Sequence, residues 1–132
     1  MIKSSQQLVA EARSQINEVS VQQLAAQLAD HETILIDVRE PDEFTQGRVD
    51  RAVNYPRGVL EMKIHQHPAV AAHCEPELAL TELAKRPVYL ICRSGARSAL
   101  AALSLQQMGF TQVYSVAGGF QAWAAAGLPV DI

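Results

Sequence analysis

Two short runs in the chain, TILIDV (Thr33–Val38) and VYLIC (Val88–Cys92), are almost entirely apolar and β-branched, without alternating polar positions. Strands of that kind are buried on both faces, the condition of a parallel sheet covered by helices. Helical signals surround them. Ser20 and Gln23 make a capping-box signature, after which Val21, Leu24, Ala25 and Leu28 fall on one helical face. Ala96, Ala99, Leu100 and Leu103 recur at helical spacing ahead of Gly109, a residue suited to the left-handed end of a helix. AVNYP (Ala52–Pro56) and QVYSV (Gln112–Val116) read as two more short strands. GGFQAWAAAGLPV closes the chain with a helix that sets Phe120 and Trp123 one turn apart and stops at Gly127 and Pro129. Leu8, Ala12 and Ile16 recur every four residues behind Ser4 and Ser5, so a further helix comes first. The expected fold is α/β, with a central, mostly parallel sheet of about five strands flanked by helices and preceded by an N-terminal helix. Residues 1–18 form the helical extension and 19–132 the domain, whose functional loops belong at the carboxyl ends of the strands.

A length of 132 residues suits one domain with its own core. The net charge of −3 gives no overall attraction to nucleic acid or anionic lipid, so any anion must be held by a local group of arginines. No apolar run approaches a membrane span, and MIKSSQQLVAEARSQ lacks the apolar stretch and cleavage site of a secretory signal, so a cytoplasmic protein is expected. Cys74 and Cys92 are the only cysteines, too few for a disulfide framework, and both are read as reduced thiols.

Cys92 ends a strand and is followed by RSGARS and then a helix. Loop and first-turn N–H groups without helical partners gather there and attract an anion, and the positive end of the helix favours a thiolate over a thiol. Gly95 permits a backbone turn that a side chain would penalise, while Ser94 and Ser98 satisfy loop groups or offer hydroxyls to an anion. Arg97 braces the loop or holds an oxyanion, and Arg93 sits beside the thiol to draw in a charged substrate. A cysteine at a strand end is, by itself, more often packing than chemistry. The two arginines, two serines and glycine in the next six positions decide for chemistry.

The chain resembles the rhodanese domain in LIDVREPDEF (Leu35–Phe44), AVNYPRG (Ala52–Gly58), CRSGARS (Cys92–Ser98) and AGGFQAWAAAGLPV (Ala117–Val130), in that order. The resemblance implies a small α/β domain in which Cys92 is the nucleophile and persulfide carrier. The backbone of Arg93, Ser94, Gly95, Ala96, Arg97 and Ser98 would be the cradle, and Asp37 and Arg39 would support it from the neighbouring strand end. It further implies a sulfurtransferase moving a sulfane sulfur from a small anionic donor such as thiosulfate to cyanide or a thiol, by double displacement. No metal or organic cofactor is required, because the covalent intermediate carries the sulfur. A persulfide relay or regulatory module for a partner, with a protein thiol as acceptor, is the alternative. A related phosphatase or arsenate reductase is disfavoured, since four residues separate Cys92 from Arg97 where the phosphatase pattern has five. Monomer and homodimer are both open.

The chain departs from the family at GRVDRAVNYP, where Arg48 stands for a histidine and Arg51 for a glycine. A left-handed Arg51 would cost about 1 kcal/mol. Both arginines are read as solvated surface charge, or alternatively as positive potential near the cleft. His65, His67, His73 and Cys74 do not have zinc-site spacing and are read as part of a polar loop ahead of a helix near Pro76. Glu61 and Lys63 are candidates to border the cleft, and Phe120 with Trp123 is assigned to the core.

Overall fold

The computed structural model describes all residues, Met1–Ile132. Its sheet has five strands, β1 (Asn17–Val19), β2 (Ile34–Asp37), β3 (Val53–Asn54), β4 (Val88–Ile91) and β5 (Val113–Val116). They lie in the order β1-β5-β4-β2-β3, and every pairing is parallel. β2 and β4, the two continuous apolar runs, are buried at every position. Their side chains alternate between two cores. Ile34, Ile36, Val88, Leu90 and Cys92 face one cluster, while Leu35, Tyr89 and Ile91 face the other. The first is covered by α4 (Leu60–Lys63), α5 (Pro76–Leu83) and α6 (Ala96–Met108), the second by α2 (Val21–Gln27) and α7 (Gly119–Ala125). Cys92 therefore belongs to the α6 side.

The first helix, α1 (Ser5–Arg13), starts at Ser4 with a full capping box, as α2 does at Ser20. It stops short of Ile16, which the spacing had placed on it. The Ser14 hydroxyl donates to the Glu11 carbonyl at 2.6 Å, a local bond that competes with further helix. The chain then enters β1, a polar strand that pairs with β5 from Asn17 opposite Tyr114 to Val19 opposite Val116. α1 lies across α6, with Val9 and Ala12 packed on Ala99.

Short helical turns run through Arg57–Val59, α4, Ile64–Gln66 and Pro68–Val70, so that the first part of the stretch expected as a polar loop is helical. Leu60, Ile64 and Val70 drive it into the core. His67 goes with them, 6% exposed, its Nδ1 accepting from the Ala69 N–H at 3.0 Å and its Nε2 without a partner. His73 and Cys74 stay exposed, so these side chains do not converge.

Candidate functional site

β4 ends at Ile91, and Cys92 follows with its side chain turned inward, only 1% exposed. Gly95 takes φ +103°, which turns the backbone so that its N–H points at Cys92 Sγ, 3.1 Å away. The Ser98 N–H reaches the same sulfur at 3.4 Å, and the thiol lies 3.5 Å from Ser98 Oγ. That hydroxyl is fully buried and shares a 2.8 Å bond with Ser115 Oγ, so it serves the sulfur and the neighbouring strand. The N–H groups of Arg93, Ser94, Ala96 and Arg97 have no protein acceptor. A loop that leaves that many donors at the start of a thirteen-residue helix is built to face negative charge.

The floor of this loop comes from the far end of the chain. The Phe120 N–H donates to the Cys92 carbonyl at 2.7 Å, and the Gln121 N–H to the Arg93 carbonyl at 3.0 Å. The first turn of α7 thus fixes the strand end on which the thiol sits. Gly118 and Gly119, both with positive φ, let that turn approach so closely. The sequence reading took this pair only as the opening of a helix. A double glycine where a serine, threonine or aspartate normally caps was the available signal.

Charged residues fix the loop from the side. α3 (Pro41–Gln46) begins with Glu43 bonding back to the Glu40 N–H, and the same carboxylate receives Arg97 in a fork at 2.7 and 3.1 Å. Arg97 thereby ties the loop to α3. The hydrogen bond to Arg97 holds the Glu43 carboxyl at about 2 against the opposing effect of burial, and the same bond raises Arg97. Asp37 and Arg39 form a buried pair whose closest contact is 2.8 Å, and Arg39 also donates to the Gly47 carbonyl at 2.7 Å. The Arg39 guanidinium lies over the Phe120 ring, 4.4 Å from its centroid.

Arg39, Glu43, Gln46, Arg93, Phe120 and Gln121 line a cavity of about 450 Å³ beside the loop. Arg93 is exposed on that wall. Phe120, expected in the core, is half-buried: it packs against the same cluster as Trp123 and also walls the cavity, while Trp123 is fully core and donates to the Pro129 carbonyl at 2.7 Å. Glu43, Ser115, Phe120 and the glycine pair position the loop or wall its cavity, and the sequence by itself assigns them no place at the site. Glu43 lies within LIDVREPDEF, and only its partner, Arg97, is hidden from the sequence.

Arg48 and Arg51 do not lend positive potential to the cleft, and the surface charge that they carry is engaged in contacts. Arg51 does adopt the left-handed backbone, φ +75°. Its guanidinium donates to the carbonyls of Leu28 at 2.5 Å and Thr33 at 2.9 Å, with longer contacts to Asp30 and His31. A cation thereby closes the C-terminal end of α2, where the helix dipole favours it. Arg48 lies over the Phe44 ring and pairs with Asp131 at 3.6 Å, tying down the end of the chain. Neither lines the cavity. Glu61 pairs with Arg57 at 3.0 Å and, like exposed Lys63, stays away from it.

A family model for the rhodanese-like domain matches residues 20–126. A "Sulfurtransferase" of Allochromatium vinosum is 34% identical over 116 residues, 87% of this chain and 94% of that one. "Thiosulfate sulfurtransferase 16, chloroplastic" of Arabidopsis thaliana is 35% identical over 97 residues, 71% of this chain and 76% of its own length. Among solved structures, a Rhodopseudomonas palustris protein of unknown function, described as a possible tyrosine phosphatase, superposes with TM-score 0.81 at 28% identity, covering 99% of this chain and 96% of the other. The polysulfide-sulfur transferase homodimer of Wolinella succinogenes gives 0.71 at 28% identity over 94% and 84%. No helix is long and apolar enough to cross a membrane.

Proposed function

The chain belongs to the rhodanese-like domain family as a sulfurtransferase, and we propose that Cys92 is its persulfide carrier, with thiosulfate or a similar anion as donor and cyanide or a thiol as acceptor. The observation that carries this reading is the pair of N–H groups, from Gly95 and Ser98, aimed at one buried sulfur. Donors fixed in that way stabilise negative charge on Sγ when it attacks and when it leaves. In the first half, the Cys92 thiolate attacks the outer sulfur of thiosulfate. A bond forms from Sγ to that sulfur, the donor S–S bond breaks, and sulfite departs with the electron pair. In the second, the acceptor attacks the terminal sulfur and Cys92 returns to the thiolate.

Arg93 on the exposed wall and Arg39 behind it give the donor a cationic approach, and the Arg97–Glu43 and Asp37–Arg39 pairs hold the loop in place. Two free thiols, Cys74 and Cys92, fit a reducing, cytoplasmic setting.

Reduced protein incubated with thiosulfate is expected to gain one sulfur atom on the peptide containing Cys92, and Cys92→Ser none. Absence of the adduct in the unaltered protein sinks the reading. Because one structural neighbour is described as a possible tyrosine phosphatase, an aryl phosphate belongs in the same experiment. Hydrolysis that depends on Cys92 would transfer the site to phosphate chemistry. Fast discharge to protein dithiols with feeble discharge to cyanide would favour a relay over a free enzyme.

A further inference from the structure

α1 lies outside the residues that match the family, yet it forms one wall of a second cavity of about 410 Å³ on the other side of the cysteine loop. Ser94, Ala96, Arg97 and Leu100 line it from the loop and α6, and Val9 and Arg13 from α1. Arg13 and Arg97 both line it, whereas their carboxylate partners do not. Glu18 holds Arg13 Nε at 3.3 Å from the β1 side, and Glu43 holds Arg97 from α3. Arg13 also leans on the loop, its terminal nitrogen 3.3 Å from where a Cβ on Gly95 would be. The two cavities differ in character. The first is walled almost entirely by polar side chains and suits a compact inorganic anion, while the second sets an apolar strip of Val9, Ala96 and Leu100 beside its cations. A ligand with a carbon stem and one anionic end matches the second.

We infer that the α1–α6 cleft is the acceptor subsite and takes a small organic thiol bearing a carboxylate, a reading that rests on the Cys92 persulfide. The carboxylate meets Arg13 and the Ser94 hydroxyl, and the stem lies along Val9 and Leu100. The acceptor, as thiolate after losing its proton to solvent, attacks the terminal sulfur of the persulfide. A new S–S bond forms on the acceptor, the Cys92 Sγ–S bond breaks, and Cys92 leaves as thiolate. No further oxidant or reductant enters. By this assignment Arg13 is a specificity-determining residue supplied by the N-terminal helix.

The test compares glutathione, which carries carboxylates, with 2-mercaptoethanol, which does not, as acceptors for protein first shown by mass to be loaded with sulfur. Arg13→Ala is expected to raise the KM for glutathione relative to that for 2-mercaptoethanol about ten-fold, the worth of one charge-assisted bond, with Arg13→Lys recovering part of it. Gln6→Trp, which fills the cleft from α1 without touching a charge, is expected to raise the glutathione KM as well. Equal shifts for both thiols in Arg13→Ala, or no shift in either variant, overturn the subsite while leaving the persulfide intact. Failure of the unaltered protein to load overturns the parent reading.

Discussion

At Gly119 a Cβ would meet the Cys92 carbonyl oxygen and lie 2.7 Å from the Arg93 carbonyl, both of them backbone that cannot swing aside. At Gly127, also left-handed with φ +74°, a Cβ would meet nothing within 4 Å. The two positions separate backbone strain from collision. Gly127→Ala is expected to lower stability by about 1 kcal/mol, the cost of a left-handed alanine, and Gly119→Ala by about 3 kcal/mol or more. Urea unfolding of both variants checks this, and equal costs would mean that α7 shifts to accommodate the methyl group. Sulfur loading is expected to fall only in Gly119→Ala, because that collision acts on the residue carrying the thiol. The roles of Cys92 and Gly95 could be read from sequence, since a strand, a turn and a helix start lie within consecutive residues. The role of Gly119 could not, because its reason is a segment that lies far upstream in the chain.

α3 and α6 are joined at the site through Glu43 and Arg97, whose side chains remain about a third exposed, at 29% and 35%. An ion pair that wet contributes modestly, so Glu43→Gln is expected to cost about 1 kcal/mol at neutral pH. Its carboxyl sits at about 2 in the fold against an ordinary 4.5. The contribution is therefore complete above about pH 4.5 and is lost as pH falls towards 2. Unfolding curves of the two proteins measured down the acid range are expected to converge there, and a constant gap would exclude the pair as its source. Elements whose signals are local formed as the sequence suggested: the capping boxes at Ser4 and Ser20, and α6 closed by Gly109 at φ +110°. β1 was missed because Asn17 and Glu18 show no strand pattern. Its backbone bonds to β5 make it a strand, and pairing of that kind leaves no mark on side-chain periodicity.

Across the whole molecule, one group that ties stability to pH is His67, drawn into the core by the turns around it. Burial, and then the charge of Arg86, hold it at about 4 against an ordinary 6.5. Between those values the unfolded chain takes up a proton that the native protein refuses. The penalty from this group is thus absent above about pH 6.5 and grows as pH falls to 4, to on the order of 3 kcal/mol. His67→Asn, which keeps an acceptor for the Ala69 N–H without a titrating ring, is expected to flatten that slope in urea midpoints taken from pH 7 to 4. An unchanged slope would assign the acid loss to other groups. Apart from β1, α3 and the turns around α4, the chain order of strands and helices, the burial of β2 and β4, and the cysteine loop were contained in the sequence, because periodicity, capping and turn chemistry act over a few consecutive residues. Only the tertiary structure decided that Arg97 would brace against Glu43, 54 residues away, that Arg51 would cap α2, and that α1 would bring Arg13 to the loop. Each of those charges has several partners within reach of an unfolded chain. The order of strands in the sheet leaves it one.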